Sequence, residues 1–144
     1  MKDTAEPVGY ETLQPKLYAH LGQTHMMMAN LGLAPTLSTL TELRVSQINQ
    51  CAYCVNMHLA HAREVGVAQD KIDQLVVWRE AQVFSDAERA VLAWAEAMTY
   101  LDRGVDFAPL RANLQHHFDD AEIAVITADV GMINLWNRVQ RSKH

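Results

Sequence analysis

Cys51 and Cys54 stand three residues apart, and His58 follows four residues after the second cysteine. They are the only two cysteines in the chain. On a helix, residues three and four apart lie on one face. A disulfide needs Cα atoms roughly 4.4–6.8 Å apart, which one helical turn provides. The first turn of a helix also presents unpaired backbone N–H groups and the positive end of the helix dipole. A thiolate there is stabilised and reacts at neutral pH. His58 can take a proton from Cys54 directly or through water. The chemistry these residues define is thiol redox, with Cys51, Cys54 and His58 as its candidate catalytic residues.

Other readings of the same residues are weaker. Two cysteines on one helix can be ordinary small core residues, but the spacing and the histidine would then both be coincidence. Cys51, Cys54, His58 and His61 fall on a narrow arc of one helix, which raises a zinc site. They span about 15 Å along the axis at 1.5 Å per residue. Zinc ligands sit only about 2.0–2.3 Å from the ion, so one straight helix cannot bring all four together. His20, His25, His116 and His117 have no spacing that implies a metal, and no metal is expected. No nucleotide, flavin or haem signature occurs, so no cofactor is expected either. Met26-Met27-Met28 reads as core or oligomer-interface packing, and Trp94 and Trp136 as packing. Tyr53, between the cysteines, reads as packing or as a substrate contact.

The elements that must position these residues read as helices throughout. No run alternates apolar and polar residues, and no Asn-Gly or Asp-Gly hairpin turn occurs. Residues 1–14, with Pro7 and Gly9, read as an irregular arm. Helices are expected over Lys16–Asn30, Thr36–Ile48 and Cys51–Val65, the last ended by Gly66. A fourth starts at Gln69-Asp70 and runs through Ile72, Leu75, Val76 and Trp78. Ser85-Asp86-Ala87-Glu88 is a capping box that opens the next. That helix carries Val91, Leu92, Trp94, Ala95 and Met98 on one face. Pro109 opens a short helix toward Gln115. Asp119 caps a last helix that runs to about Arg138. The fold class is all-α, one domain over residues 1–144.

Composition sets the outer bounds. The chain has 144 residues, enough for one core, and is 49% hydrophobic. Its formal net charge of −5, with Lys and Arg scattered, argues against a nucleic-acid partner. No apolar run reaches the length of a membrane span. The polar start, Met1-Lys2-Asp3-Thr4-Ala5-Glu6-Pro7, lacks a signal-peptide apolar region, so a cytoplasmic location is expected. In that compartment paired cysteines point to redox or metal work rather than a structural disulfide.

The segment Leu43-Arg44-Val45-Ser46-Gln47-Ile48-Asn49-Gln50-Cys51-Ala52-Tyr53-Cys54-Val55-Asn56-Met57-His58 resembles the AhpD-like family, also called the carboxymuconolactone decarboxylase family. The likeness continues more loosely through Gly66, Trp78, the Ala93–Ala97 stretch and Ile133–Arg138, and so covers most of the chain after about Leu31. It implies a helical bundle whose subunits form homo-oligomers, trimers or hexamers. It also implies reduction of a small hydroperoxide or a disulfide, with Cys54 as peroxidatic thiol and Cys51 as resolving thiol. An external dithiol then restores the pair. A decarboxylase-like enzyme is the alternative that the family's second name suggests, though such chemistry needs no cysteine pair.

The chain departs from the peroxide-reducing branch at one point. That branch places a proton-relaying Glu twelve residues before the first cysteine, where this chain has Thr39. Glu42, one turn later, is the nearest acid, and it reads as a solvated surface charge. A shift of one turn moves a carboxylate by about 5 Å. The departure predicts slow or no peroxidase turnover and motivates a third reading, a redox-responsive interaction or assembly protein. Asn134, Asn137 and Arg138 are expected to serve in structural hydrogen bonding.

Overall fold

Pro35, at the first position of its helix, has a fixed φ suited to a helix start and lacks an N–H that would go unpaired there. It opens α3 (Pro35–Ile48), the helix around which the others pack. A computed structural model describes residues 6–143. Its other helices are α1 (Tyr10–Leu13), α2 (Pro15–Met28), α4 (Ala52–Glu64), α5 (Gln69–Gln74), α6 (Asp86–Tyr100), α7 (Phe107–Gln115) and α8 (Asp120–Lys143), with a 3-10 turn at Leu75–Val77. No strand occurs among the described residues. None of their helices is long and apolar enough to cross a membrane. The all-α expectation holds.

α3 packs against α4, α6 and α8, so Thr39 to Leu43, Val45 and Ser46 are buried. Leu40 and Leu43 join Ala62 of α4, Leu75, Trp78 and Leu92 of α6 in one apolar cluster. Val45 joins Ala95 of α6 and Val130 and Ile133 of α8 in another. A third, Val91, Trp94, Leu114, Ile123 and Ile126, fastens α7 between α6 and α8. There Trp94 meets Phe107 edge to face at 5.5 Å, a favourable aromatic geometry. The Met triplet divides: Met28 is buried, while Met26 and Met27 are exposed.

Capping boxes open α6 and α8. The Ser85 hydroxyl accepts from Glu88 N–H at 3.1 Å, and the Glu88 carboxylate accepts from Ser85 N–H at 3.1 Å. Asp119 and Glu122 form the equivalent pair at α8, at 2.8 and 2.9 Å.

Four boundaries differ from the sequence reading. The arm read as irregular holds a helical turn, Tyr10–Leu13, where Tyr10 stacks on Tyr18 and its hydroxyl donates to Ser142 O; residues 1–5 of that reading lie outside the described residues. α7 starts at Phe107 because the Asp106 carboxylate accepts from Ala108 N–H. Pro109 still sits in the first turn, where its missing N–H costs nothing. α5 ends at Gln74 and tightens into the 3-10 turn. α8 continues past Arg138 to Lys143, whose ammonium pairs with Glu11.

Candidate thiol and carboxylate site

The turn between α3 and α4 places the cysteines. Gln50 takes a left-handed conformation, φ 54°. Gln50 N–H donates to Gln47 O and Cys51 N–H to Ser46 O, which closes α3 with two carbonyls satisfied. The residue that ends this motif is also the cap of the next helix. Cys51 is extended, and its sulfur accepts from Cys54 N–H at 3.3 Å. Cys51 therefore lies just outside the helix as its cap, rather than in the first turn as expected from sequence. Cys54 is in the first turn, and the two form a disulfide with Cα atoms 5.2 Å apart. Both are buried.

A polar lattice holds this turn against α8. Asn49 donates to the side-chain carbonyls of Asn134 and Asn137, both at 2.9 Å. Asn137, fully buried, donates to Ser46 at 3.0 Å. Arg141 donates to Asn49 O, and Arg138 to Asn134. The structural role expected for Asn134, Asn137 and Arg138 is what these bonds provide.

His58 lies one turn beyond Cys54 and is 2% exposed. Its Nδ1 is 3.3 Å from Glu42 Oε2, at an angle unsuited to a good hydrogen bond, and neither ring nitrogen has a directed protein partner. Burial holds its pKa below the ordinary histidine value against the pull of the Glu42 charge. The neutral imidazole can accept a proton at neutral pH.

Glu42 was read as a solvated surface charge; it is buried. Its Oε1 accepts from His25 Nε2 of α2 at 3.0 Å. Asp129 of α8 approaches from the third side, its Oδ1 3.7 Å from the same His25 nitrogen. Burial raises the Glu42 pKa, but hydrogen bonds from His25 and Asp129 and the histidine charges outweigh it, and the net shift is downward. Asp129 is pushed up to about 9 by burial and by the neighbouring Glu42 charge. The two carboxyl groups therefore titrate as a pair rather than independently. The hydrogen bond to Glu42 raises the His25 pKa. His25, Glu42 and Asp129 are the described residues whose donor atoms converge closely enough to hold a cation.

These groups line a cavity of about 640 Å³ between α2, α3, α4 and α8. Its wall is apolar at Met28, Leu33, Met57 and Val125, and polar at the histidine–carboxylate cluster. Thr39, where a relay Glu was expected, also lines it but faces His61, 3.5 Å away, rather than His58. His61 is exposed.

Sequence reasoning brought together Cys51, Cys54 and His58. It missed His25 and Asp129, and misplaced Glu42. The available signal was weak: a lone acid in a helix that is otherwise mostly Leu, Thr and Ser.

Fold and site together define an AhpD-like all-α protein with a C-x-x-C disulfide. The chain belongs to the carboxymuconolactone decarboxylase family, whose model matches residues 15–97. It is 32% identical over 104 residues to the uncharacterized protein YdfG of Bacillus subtilis (strain 168), across 72% of this chain and 71% of the relative. It is 35% identical over 103 residues to the uncharacterized protein YnjA of Escherichia coli (strain K12), across 72% of this chain and 56% of that protein. A solved structure from Agrobacterium tumefaciens, of a protein of unknown function provisionally described as the antioxidant defence protein AhpD, superposes with TM-score 0.88 at 34% identity. It covers 97% of this chain and 98% of its own. An uncharacterized peroxidase-related protein from Silicibacter sp. TM1040 superposes with TM-score 0.71 at 27% identity, over 84% of this chain and 66% of its own.

Proposed function

We propose that this protein is a cytoplasmic, homo-oligomeric thiol oxidoreductase that reduces hydroperoxides, and that an external dithiol restores it. The observation that carries the reading is the Cys51–Cys54 pair at the start of α4 with a buried, neutral His58 one turn on and Glu42 beside it.

In the reduced protein His58 takes the Cys54 proton, and the thiolate gains from the α4 N-terminus. The thiolate attacks the outer oxygen of ROOH. The O–O bond breaks, Cys54 becomes a sulfenic acid, and the departing alkoxide takes a proton from His58 to leave as ROH. The Cys51 thiol then attacks the Cys54 sulfur, releasing water and forming the disulfide. A dithiol reduces that disulfide by exchange and is itself oxidised to a disulfide.

The reading of a redox-responsive assembly protein rested on a missing relay carboxylate, and Glu42 beside His58 removes that reason. The test is steady-state loss of cumene hydroperoxide with excess dithiothreitol. Sustained turnover by the parent, abolished in Cys54→Ser, is the expected result. Turnover at the rate of dithiothreitol alone would overturn the proposal.

A further inference from the structure

His25, Glu42 and Asp129 come from three helices that are far apart in sequence, yet their donor atoms all lie within 4.8 Å of one another. His25 Nε2 is 3.0 Å from Glu42 Oε1 and 3.7 Å from Asp129 Oδ1. Zinc bonds of about 2.0–2.2 Å in a tetrahedron set neighbouring donors about 3.4 Å apart, and the two separations bracket that value. A second observation is independent of the cluster. His58, 98% buried by its 2% exposure, lines the same cavity and points Nδ1 to within 3.3 Å of the other Glu42 oxygen, with both ring nitrogens lacking a directed partner. A water or ion beside Glu42 is what such an imidazole needs.

We propose that His25, Glu42 and Asp129 form a binding site for a divalent transition-metal ion of the zinc class, with its remaining coordination position open to the cavity. The donor set of one imidazole and two carboxylates suits zinc, cobalt(II) or manganese(II) rather than a soft ion. Three protein ligands with a position facing a cavity is the arrangement of a site that takes a water or a small anionic ligand, rather than a closed structural one. The site uses neither cysteine and so goes beyond the thiol reading, with which it shares one residue, Glu42.

The experiment uses the full chain with Cys51→Ser and Cys54→Ser, which removes thiolate ligands. The protein is stripped with a chelator and titrated with cobalt(II). Expected is visible absorption of cobalt in a low-symmetry nitrogen–oxygen site, saturating at about one ion per chain, without a thiolate-to-metal band, and reversed by zinc. His25→Gln and Asp129→Asn should each weaken binding at least tenfold, and His116→Ala/His117→Ala should leave it unchanged. Circular dichroism confirms that each variant keeps its helix content. His25 is half-buried, so His25→Gln is the variant expected to fold even where Asp129→Asn does not. No cobalt absorption at excess metal, or equal binding by folded His25→Gln, would overturn the site. Either result leaves the peroxide turnover assay untouched.

Discussion

At the scale of single residues, the proposed proton path turns on which carboxylate serves His58. Counting along the chain pointed to position 39, and the structure points to Glu42, 3.3 Å from the imidazole. Thr39 faces His61 instead. Glu42→Gln should therefore lower the peroxide-reduction rate by about tenfold to a hundredfold, at the lower end of what general acid–base assistance contributes. Thr39→Val should change it by less than about twofold, since the hydroxyl it removes lies outside the proton path. Steady-state rates for the two variants check both statements. The cysteines and His58 were legible because their spacing is local to one helix and its cap. Glu42 was not, because its burial depends on His25 and Asp129, 17 residues before it and 87 after it in the chain. Nothing local to α3 announces that two distant helices will close over it.

At the scale of elements, the turn between α3 and α4 carries a conformational cost and a set of hydrogen bonds that offset it. Gln50 adopts a left-handed backbone, which costs a residue with a Cβ about 1–2 kcal/mol. Gln50→Gly should stabilise the protein by about 1 kcal/mol, after the entropy glycine loses on folding. A rise in the urea midpoint at unchanged slope is the measurement. Asn137→Ala should act the other way. It strips Ser46 of a buried donor and Asn49 of an acceptor, and should cost about 2–3 kcal/mol by the same assay. The helix starts at Ser85 and Asp119 were readable because a capping box is a local code. The end of α8 and the helical turn at Tyr10–Leu13 were not, because each is held by the other through Tyr10 and Lys143.

At the scale of the whole molecule, one buried carboxylate links α3, the 3-10 turn and α6. Glu96 accepts from Trp78 Nε1 at 2.8 Å, from Arg44 and from Arg79, while the Arg79 guanidinium lies over the Trp78 ring. Burial raises its pKa, but those hydrogen bonds outweigh it and leave the pKa below the ordinary carboxylate value. A lowered folded-state pKa means the network contributes fully above the unfolded value and is lost as pH falls through the folded one. Glu96→Gln should cost about 3 kcal/mol at neutral pH, as removing one partner of a buried pair does. Thermal unfolding across an acid series should show the gap from the parent closing as the pH falls. The all-α class and the family were readable from periodicity and from one motif. The central place of α3 was not, because the apolar pattern of a helix shows which face is buried but not how many neighbours it meets.

The central claim is that Cys54 reacts with a hydroperoxide and Cys51 resolves the product. It is tested most directly by mass spectrometry of the reduced protein after one equivalent of cumene hydroperoxide. The account predicts loss of two hydrogens as a Cys51–Cys54 disulfide in the parent. It predicts a trapped sulfenic acid at Cys54 in Cys51→Ser, and no modification of Cys51 in Cys54→Ser. Two intact thiols in the parent, or oxidation of Cys51 in Cys54→Ser at the parent's rate, would contradict it.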